Sequence, residues 1–200
     1  MPKQTFFNLP KEKRQKIEQA ALDEFSEYGF DNSNMNRIVA QSEIAKGSFY
    51  QYFEDKKDLY FHLVDTLLKK KLQIIEPVMS SYARYSFAYN LKEIFRLGLE
   101  FSACNPKLYG LGEDFSSMQR PFVLEFMEKY KLEATDIYIS LLNHAMETGE
   151  LRDDVNVALA AAFISAVIKQ ATIDLMGNMK EKDMVMRELL SFIEHAILKQ

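Results

Sequence analysis

Apolar residues recur at helical spacing along almost the whole chain, while the every-second-residue alternation of a half-buried strand is nearly absent. The first stripe is Ile17, Ala20, Ala21, Phe25 and Tyr28. Pro10 suits a first turn and Gly29 directly follows the last periodic residue, so the spacing predicts a helix from about Pro10 to Tyr28. Asn34 can cap a short second helix carrying Ile38 and Val39. After a break near Gln41 to Ile44, a third short helix runs through AKGSFYQYF to about Phe53. Asp55 caps a long fourth helix with Leu59, Leu63, Leu67 and Leu68 on one stripe, expected to reach about Glu76 and stop at Pro77.

Breaks at Asn105-Pro106, Gly110 to Gly112, Pro121, Gly149 and Gly177 divide the rest of the chain. They predict helices near 87–103, 106–111, 116–148 (or from Pro121), 154–176 and 181–198. The expectation is an all-α protein of about nine helices, with a three-helix helix-turn-helix head over residues 1–54 and a helical body over 55–200. No internal repeat and no linker rich in Gly, Ser or Pro separates the parts.

The helix-turn-helix reading rests on two short helices, one presenting Ile38 and Val39 inward, the other Phe49 and Phe53. Around the second pair the helix shows Lys46, Gly47, Ser48, Tyr50, Gln51 and Tyr52, donors and aromatics on the side that a core does not claim. Lys46 can reach a guanine edge or a phosphate, and Gln51 can pair with adenine. The hydroxyls of Ser48, Tyr50 and Tyr52 can donate to phosphate oxygens, and Gly47 lets a backbone come close. Lys56 adds a cation at the start of the fourth helix, where a phosphate binds favourably.

Charge changes where that contact must lie. The 200 residues are 48% hydrophobic and 27% charged with a net charge of −4, an ordinary globular balance with no general attraction for nucleic acid. Residues 1–57 balance at nine cations and nine acids. Residues 1–16 hold five cations against one acid, so the start of the chain is a candidate phosphate contact. The single cysteine, Cys104, excludes an internal disulfide and reads as a small buried residue before a redox sensor. MPKQTFFNLPKEKRQK has no apolar run of signal-peptide length, and Val155 to Val167 falls short of the ~20 apolar residues of a membrane span, so a cytoplasmic protein without a membrane role is expected. His62, His144 and His195 show no metal-ligand spacing, and no catalytic triad, phosphate loop or carboxylate pair stands out, so neither metal, cofactor nor enzymatic activity is expected.

The stretch FNLPKEKRQKIEQAALDEFSEYGFDNSNMNRIVAQSEIAKGSFYQYFEDKKDLY, about residues 7–60, resembles the TetR family of bacterial one-component regulators. The order helix, GF, short helix with IV, then KGSFYQYF and DKKDLY matches the family's DNA-binding signature almost position by position. The resemblance implies a homodimer that binds an operator in double-stranded DNA, with a C-terminal body that holds an effector pocket and dimerises through its last two helices. By position it puts Lys46, Gly47, Ser48 and Gln51 at bases and Tyr50, Tyr52 and Lys56 at phosphates, with Asn36 as a further contact. Two residues depart from the pattern: Glu43 stands where the family often has Gly in the turn, and Ala45 where many relatives have a Ser cap.

In the body, an aromatic group that includes Phe101, Tyr109, Phe115, Phe122 and Phe126, with Met118 and Met127, fits either a core or a pocket for a lipophilic or aromatic effector. Glu100, Glu113 or Asp114 near that group favours a cationic effector, and a neutral acyl or aromatic ligand needs none of them. The helix from Val155 to Leu175, wide in its apolar face and rich in small residues, and the last helix with Leu189, Leu190, Ile193 and Ile197 suit a four-helix dimer interface. The function expected is a dimeric repressor released from a palindromic operator by a small molecule. The alternative is a helical ligand-binding or interaction protein whose head no longer binds DNA.

Overall fold

The apolar stripes become helices in the computed structural model, which describes residues 1–176 and 181–199, with residues 127–134 and 176 described by their backbone alone. Gly177 and the Met127 side chain lie outside the described residues. The described helices are α1 (Gln4–Phe7), α2 (Lys11–Asn32), α3 (Met35–Gln41), α4 (Lys46–Tyr52), α5 (Lys56–Met79), α6 (Phe87–Cys104), α7 (Pro106–Ser117), α8 (Pro121–Glu147), α9 (Val157–Met176) and α10 (Lys182–Ile197). A 3₁₀ turn at Tyr82–Arg84 precedes α6, and the described residues form no strand beyond an isolated bridge between Leu151 and Leu198.

Several boundaries differ from the sequence expectation, each for a local reason. At Gly29 the backbone turns to φ 69°, and a further turn then carries α2 to Asn32. Pro77 lies inside the last turn of α5 and does not end it, since only one ladder donor is lost so near the terminus. Gly110 and Gly112 do not break α7, which continues to Ser117, and α8 begins at Pro121.

By packing, the chain divides into two compact units. The first is Met1–Lys70 with Asn105–Gln119, and the second is Lys71–Cys104 with Arg120–Gln200. In the first, Phe6, Ile17, Phe25, Ile38, Phe49, Phe53, Leu59 and Tyr60 are buried together with Phe115 of α7. Helix α7 is tied to α2 by Lys107 Nζ on Asp23, 2.7 Å, and to α5 by the Tyr60 hydroxyl donating to Asp114 Oδ2, 2.8 Å.

In the second unit, Leu91, Phe95 and Leu99 of α6 pack with Leu141 and Leu142 of α8, Ala161, Ile164 and Ile168 of α9, and Leu190 and Ile193 of α10. The Glu150 carboxylate accepts from Phe87 N, 2.9 Å, and Glu150 O from Lys199 N, 2.9 Å, which pins both ends of this bundle to one loop. Contrary to the reading from uninterrupted apolar runs, Val157–Leu175 is long and apolar enough by composition to cross a bilayer. Only 33% of that stretch is buried within the chain. Cys104, expected to be buried, is exposed at the end of α6.

Candidate nucleic-acid interface

The head is framed by one buried acid. Glu24 lies three residues beyond Ala21 on the buried stripe of α2 and is 2% exposed. Its carboxylate accepts from Arg37 Nε at 2.9 Å, from Arg37 Nη2 at 2.5 Å and from Asn34 N at 2.6 Å, while Arg37 also donates to Asn32 O at 3.2 Å. Burial pushes the Glu24 carboxyl up, but the Arg37 and Asn34 hydrogen bonds, with the charges of Arg37 and Lys56, outweigh it and hold the group below its ordinary range. Asn34 Oδ1 in turn accepts from Asn36 N at 2.8 Å, the N-cap that starts α3.

From α3 the chain turns through Glu43, whose φ of 53° is the left-handed conformation that glycine adopts without steric cost. Ala45 precedes α4 with no side-chain cap. Helix α4 then has two faces. Phe49 and Tyr52 are buried, with Phe49 stacked on Phe53 at 5.2 Å between ring centroids. Lys46, Gly47, Tyr50 and Gln51 are exposed, Ser48 is half-buried, and Asn36 on α3 is exposed as well. The 55% exposure of Tyr50 puts a large aromatic in solvent where no core needs it.

Two residues expected at phosphates are turned inward. Tyr52 is 7% exposed and its ring lies 6.3 Å from that of Phe6. Lys56 Nζ donates to Phe30 O at 2.6 Å, Ser33 O at 3.2 Å and Asp31 O at 3.3 Å, and sits 4.8 Å from the Phe30 ring centroid. Among the cations at the start of the chain, Lys3 Nζ donates to Tyr50 O at 2.9 Å, Arg14 to Phe7 O, and Lys16 pairs with Glu43 at 2.5 Å. Lys11 and Lys13 are exposed.

Sequence reasoning missed Glu24, Arg37, Lys3 and Thr5. For Glu24 a signal was present, an acid at a core position of a helical stripe; the others act on backbone groups or partners that spacing does not reveal.

The residues singled out for an effector fall in both units. Tyr109, Phe115 and Met118 belong to the first, the two aromatics buried and Met118 half-buried; Phe101, Phe122 and Phe126 belong to the second, with Phe122 half-buried. Of the three acids, Glu100 accepts from Arg96 Nη1 at 2.6 Å and Asp114 accepts from the Tyr60 hydroxyl.

Residues 17–63 match the model of bacterial regulatory proteins, tetR family. An HTH-type transcriptional regulator of Staphylococcus aureus (strain bovine RF122 / ET3-1) is 37% identical over 75 residues, which take in 36% of this chain and 40% of that protein. Its counterpart in strain USA300 is also 37% identical, over 36% of this chain and 41% of its own length. The chain thus spans about two fifths of the length of these relatives. The fold likeness runs further. A TetR family transcriptional regulator from Chloroflexus aurantiacus superposes with a TM-score of 0.76 at 25% identity, covering 100% of both chains. The regulator FadR of Bacillus subtilis, solved in complex with stearoyl-CoA, gives 0.74 at 20% identity, over 90% of this chain and 96% of its own. Residues 17–63 are thus similar to the head of bacterial regulatory proteins of the tetR family, and the fold is like that of a TetR family regulator along its length.

Proposed function

We propose that this protein is a DNA-binding transcriptional regulator acting in the cytoplasm, a dimeric repressor that a small molecule releases from a palindromic operator. The observation that carries the reading is the division of α4, with Phe49 and Tyr52 given to the core while Lys46, Gly47, Tyr50 and Gln51 stand in solvent. With Ser48 and Asn36 they form the operator-facing set, and α4 enters the major groove. Tyr52 and Lys56 are assigned to holding the head together, in place of the phosphate contacts first expected of them. The division of labour is a DNA-reading head over 1–54 and an effector and dimer body over 55–200.

The dimer reading is supported by side chains that a monomer leaves in water: Leu159 and Phe163 on α9 are 70% and 52% exposed, and Met184 and Phe192 on α10 are 47% and 78% exposed. A neutral lipophilic effector is favoured over a cation because Glu100 is paired with Arg96 and Asp114 accepts from the Tyr60 hydroxyl. The stearoyl-CoA held by the fold neighbour from Bacillus subtilis is consistent in kind.

The test is selection of genomic fragments by the purified, ligand-free protein, scored for an inverted repeat, followed by affinity measurements on the selected site. Lys46→Ala and Tyr50→Ala are each expected to weaken binding roughly ten- to a hundredfold. Absence of any enriched sequence at low salt overturns the regulator reading in favour of a helical ligand-binding protein.

A further inference from the structure

A helix ends with its last four carbonyls unpaired by the helix itself. In α4 these belong to Phe49, Tyr50, Gln51 and Tyr52, and all four are satisfied. Phe49 O accepts from Phe53 N at 2.9 Å, and the other three accept from one short segment near the start of the chain. Lys3 N donates to Tyr52 O at 2.8 Å, Lys3 Nζ to Tyr50 O at 2.9 Å, and the Thr5 hydroxyl to Gln51 O. The Lys3 ammonium also meets the negative end of the α4 dipole.

The segment is itself anchored. Phe6 is fully buried, with its ring 4.9 Å from that of Phe53 and 5.1 Å, edge to face, from the His62 imidazole. His62 Nε2 lies 2.7 Å from Glu18 Oε1, which ties the same cluster to α2. A seven-residue helix has little stability of its own, so its direction is set by whatever holds its ends. Its N-terminal end has no side-chain cap, which leaves the C-terminal end as the fixed one.

We propose that residues 3–6 form a clasp that sets the pitch of α4, with Lys3 and Thr5 as positioning residues for operator recognition. The inference rests on the DNA-binding reading of α4. Tyr50 and Gln51 are the exposed side chains whose own carbonyls the clasp holds, so loosening it displaces those two first. Lys3, one of the cations at the start of the chain, then acts through α4 and not on the phosphate backbone.

The experiment compares Thr5→Val, Thr5→Ser and Lys3→Met with the unaltered full-length chain. Two readouts are taken: amide hydrogen exchange of residues 49–53 without DNA, and affinity for the selected operator across a salt series. Thr5→Val and Lys3→Met are expected to speed exchange in α4 roughly three- to tenfold, the worth of one hydrogen bond, and to weaken operator binding by a similar factor. Thr5→Ser restores both. The slope of log affinity against log salt stays unchanged in Lys3→Met, whereas loss of a phosphate contact flattens it by about one. Unchanged exchange in both variants overturns the clasp, and a flattened slope with unchanged exchange makes Lys3 a phosphate contact instead. If the unaltered protein binds no DNA, the regulator reading fails separately and the exchange data alone decide the clasp.

Discussion

Glu24 shows how a single side chain can decide the geometry of the N-terminal helical head. It joins α2 to α3 through Arg37 and the Asn34 amide, and Lys56 closes the same corner from α5 through the carbonyls of Phe30, Asp31 and Ser33. Because its carboxyl is held below the ordinary range when folded, the stability it contributes is present above the unfolded value and is lost as pH falls through the folded one. Urea midpoints measured from pH 7 downward should therefore drop below about pH 4 in the unaltered protein, and that drop should be smaller in Glu24→Gln. At neutral pH the substitution is expected to cost about 2 kcal/mol, the range of a hydrogen bond to a charged group, since Arg37 is partly open to water. An acid limb of equal size in Glu24→Gln assigns the pH dependence to other carboxylates. At this scale the sequence was partly legible. Glu43 departed from a glycine pattern and does take a positive φ, and Asn34 caps α3 as its position suggested. Lys56 was not legible, because three carbonyl acceptors more than twenty residues away leave no mark in composition or spacing.

Among elements, α7 is where local signals and packing part company. Two glycines within three residues read as a break, yet the helix runs on to Ser117. A Cβ added at Gly112 would stand 2.3 Å from Leu67 Cδ2, so glycine is needed there for the close approach of α7 to α5 and not for a turn. Leu67 is 2% exposed and has little room to retreat. Gly112→Ala is accordingly expected to lose about 1–3 kcal/mol by overpacking, against the gain of ~1 kcal/mol that alanine brings to an exposed helix interior. Thermal denaturation decides the sign: a stabilised variant means that α7 and α5 are not pressed together at this point. The ambiguity is inherent to sequence, since glycine marks turns and close contacts alike and only tertiary structure tells them apart. The same limit applies to Pro77, a breaker by composition that is accommodated one turn from the end of α5. Long apolar stripes carry no such ambiguity, and α5, α6 and α8 to α10 stand within a few residues of their expected positions.

For the whole molecule, the informative observation is how much apolar surface one chain leaves uncovered along α9 and α10. Helix α9 is apolar around most of its circumference, as a helix buried on all sides would be, yet two thirds of Val157–Leu175 is not buried by its own chain, where the figure is 33%. On α10, Met184, Phe192 and Ala196 share one open face of the helix with Arg187, Glu188, Ser191 and His195. A basic and an acidic residue side by side suit a two-fold contact, in which each copy can offer Arg187 to the other's Glu188. In the proposed dimer, two-fold symmetry makes every substitution act twice. Removing the Phe192 ring should forfeit about 2 kcal/mol of burial per copy, so Phe192→Ala is expected to raise the dimer dissociation constant roughly a thousandfold. Sedimentation equilibrium over a nanomolar to micromolar range reads this directly. Affinity for an inverted repeat should fall with it, because two heads no longer bind as one, while affinity for a single half-site should not change. An unaltered mass across the series removes α10 from the interface and leaves its exposed aromatic to be explained by another partner. Loss of half-site binding as well would mean that the substitution reaches the head, which Phe192 on the last helix of the second unit is not expected to do.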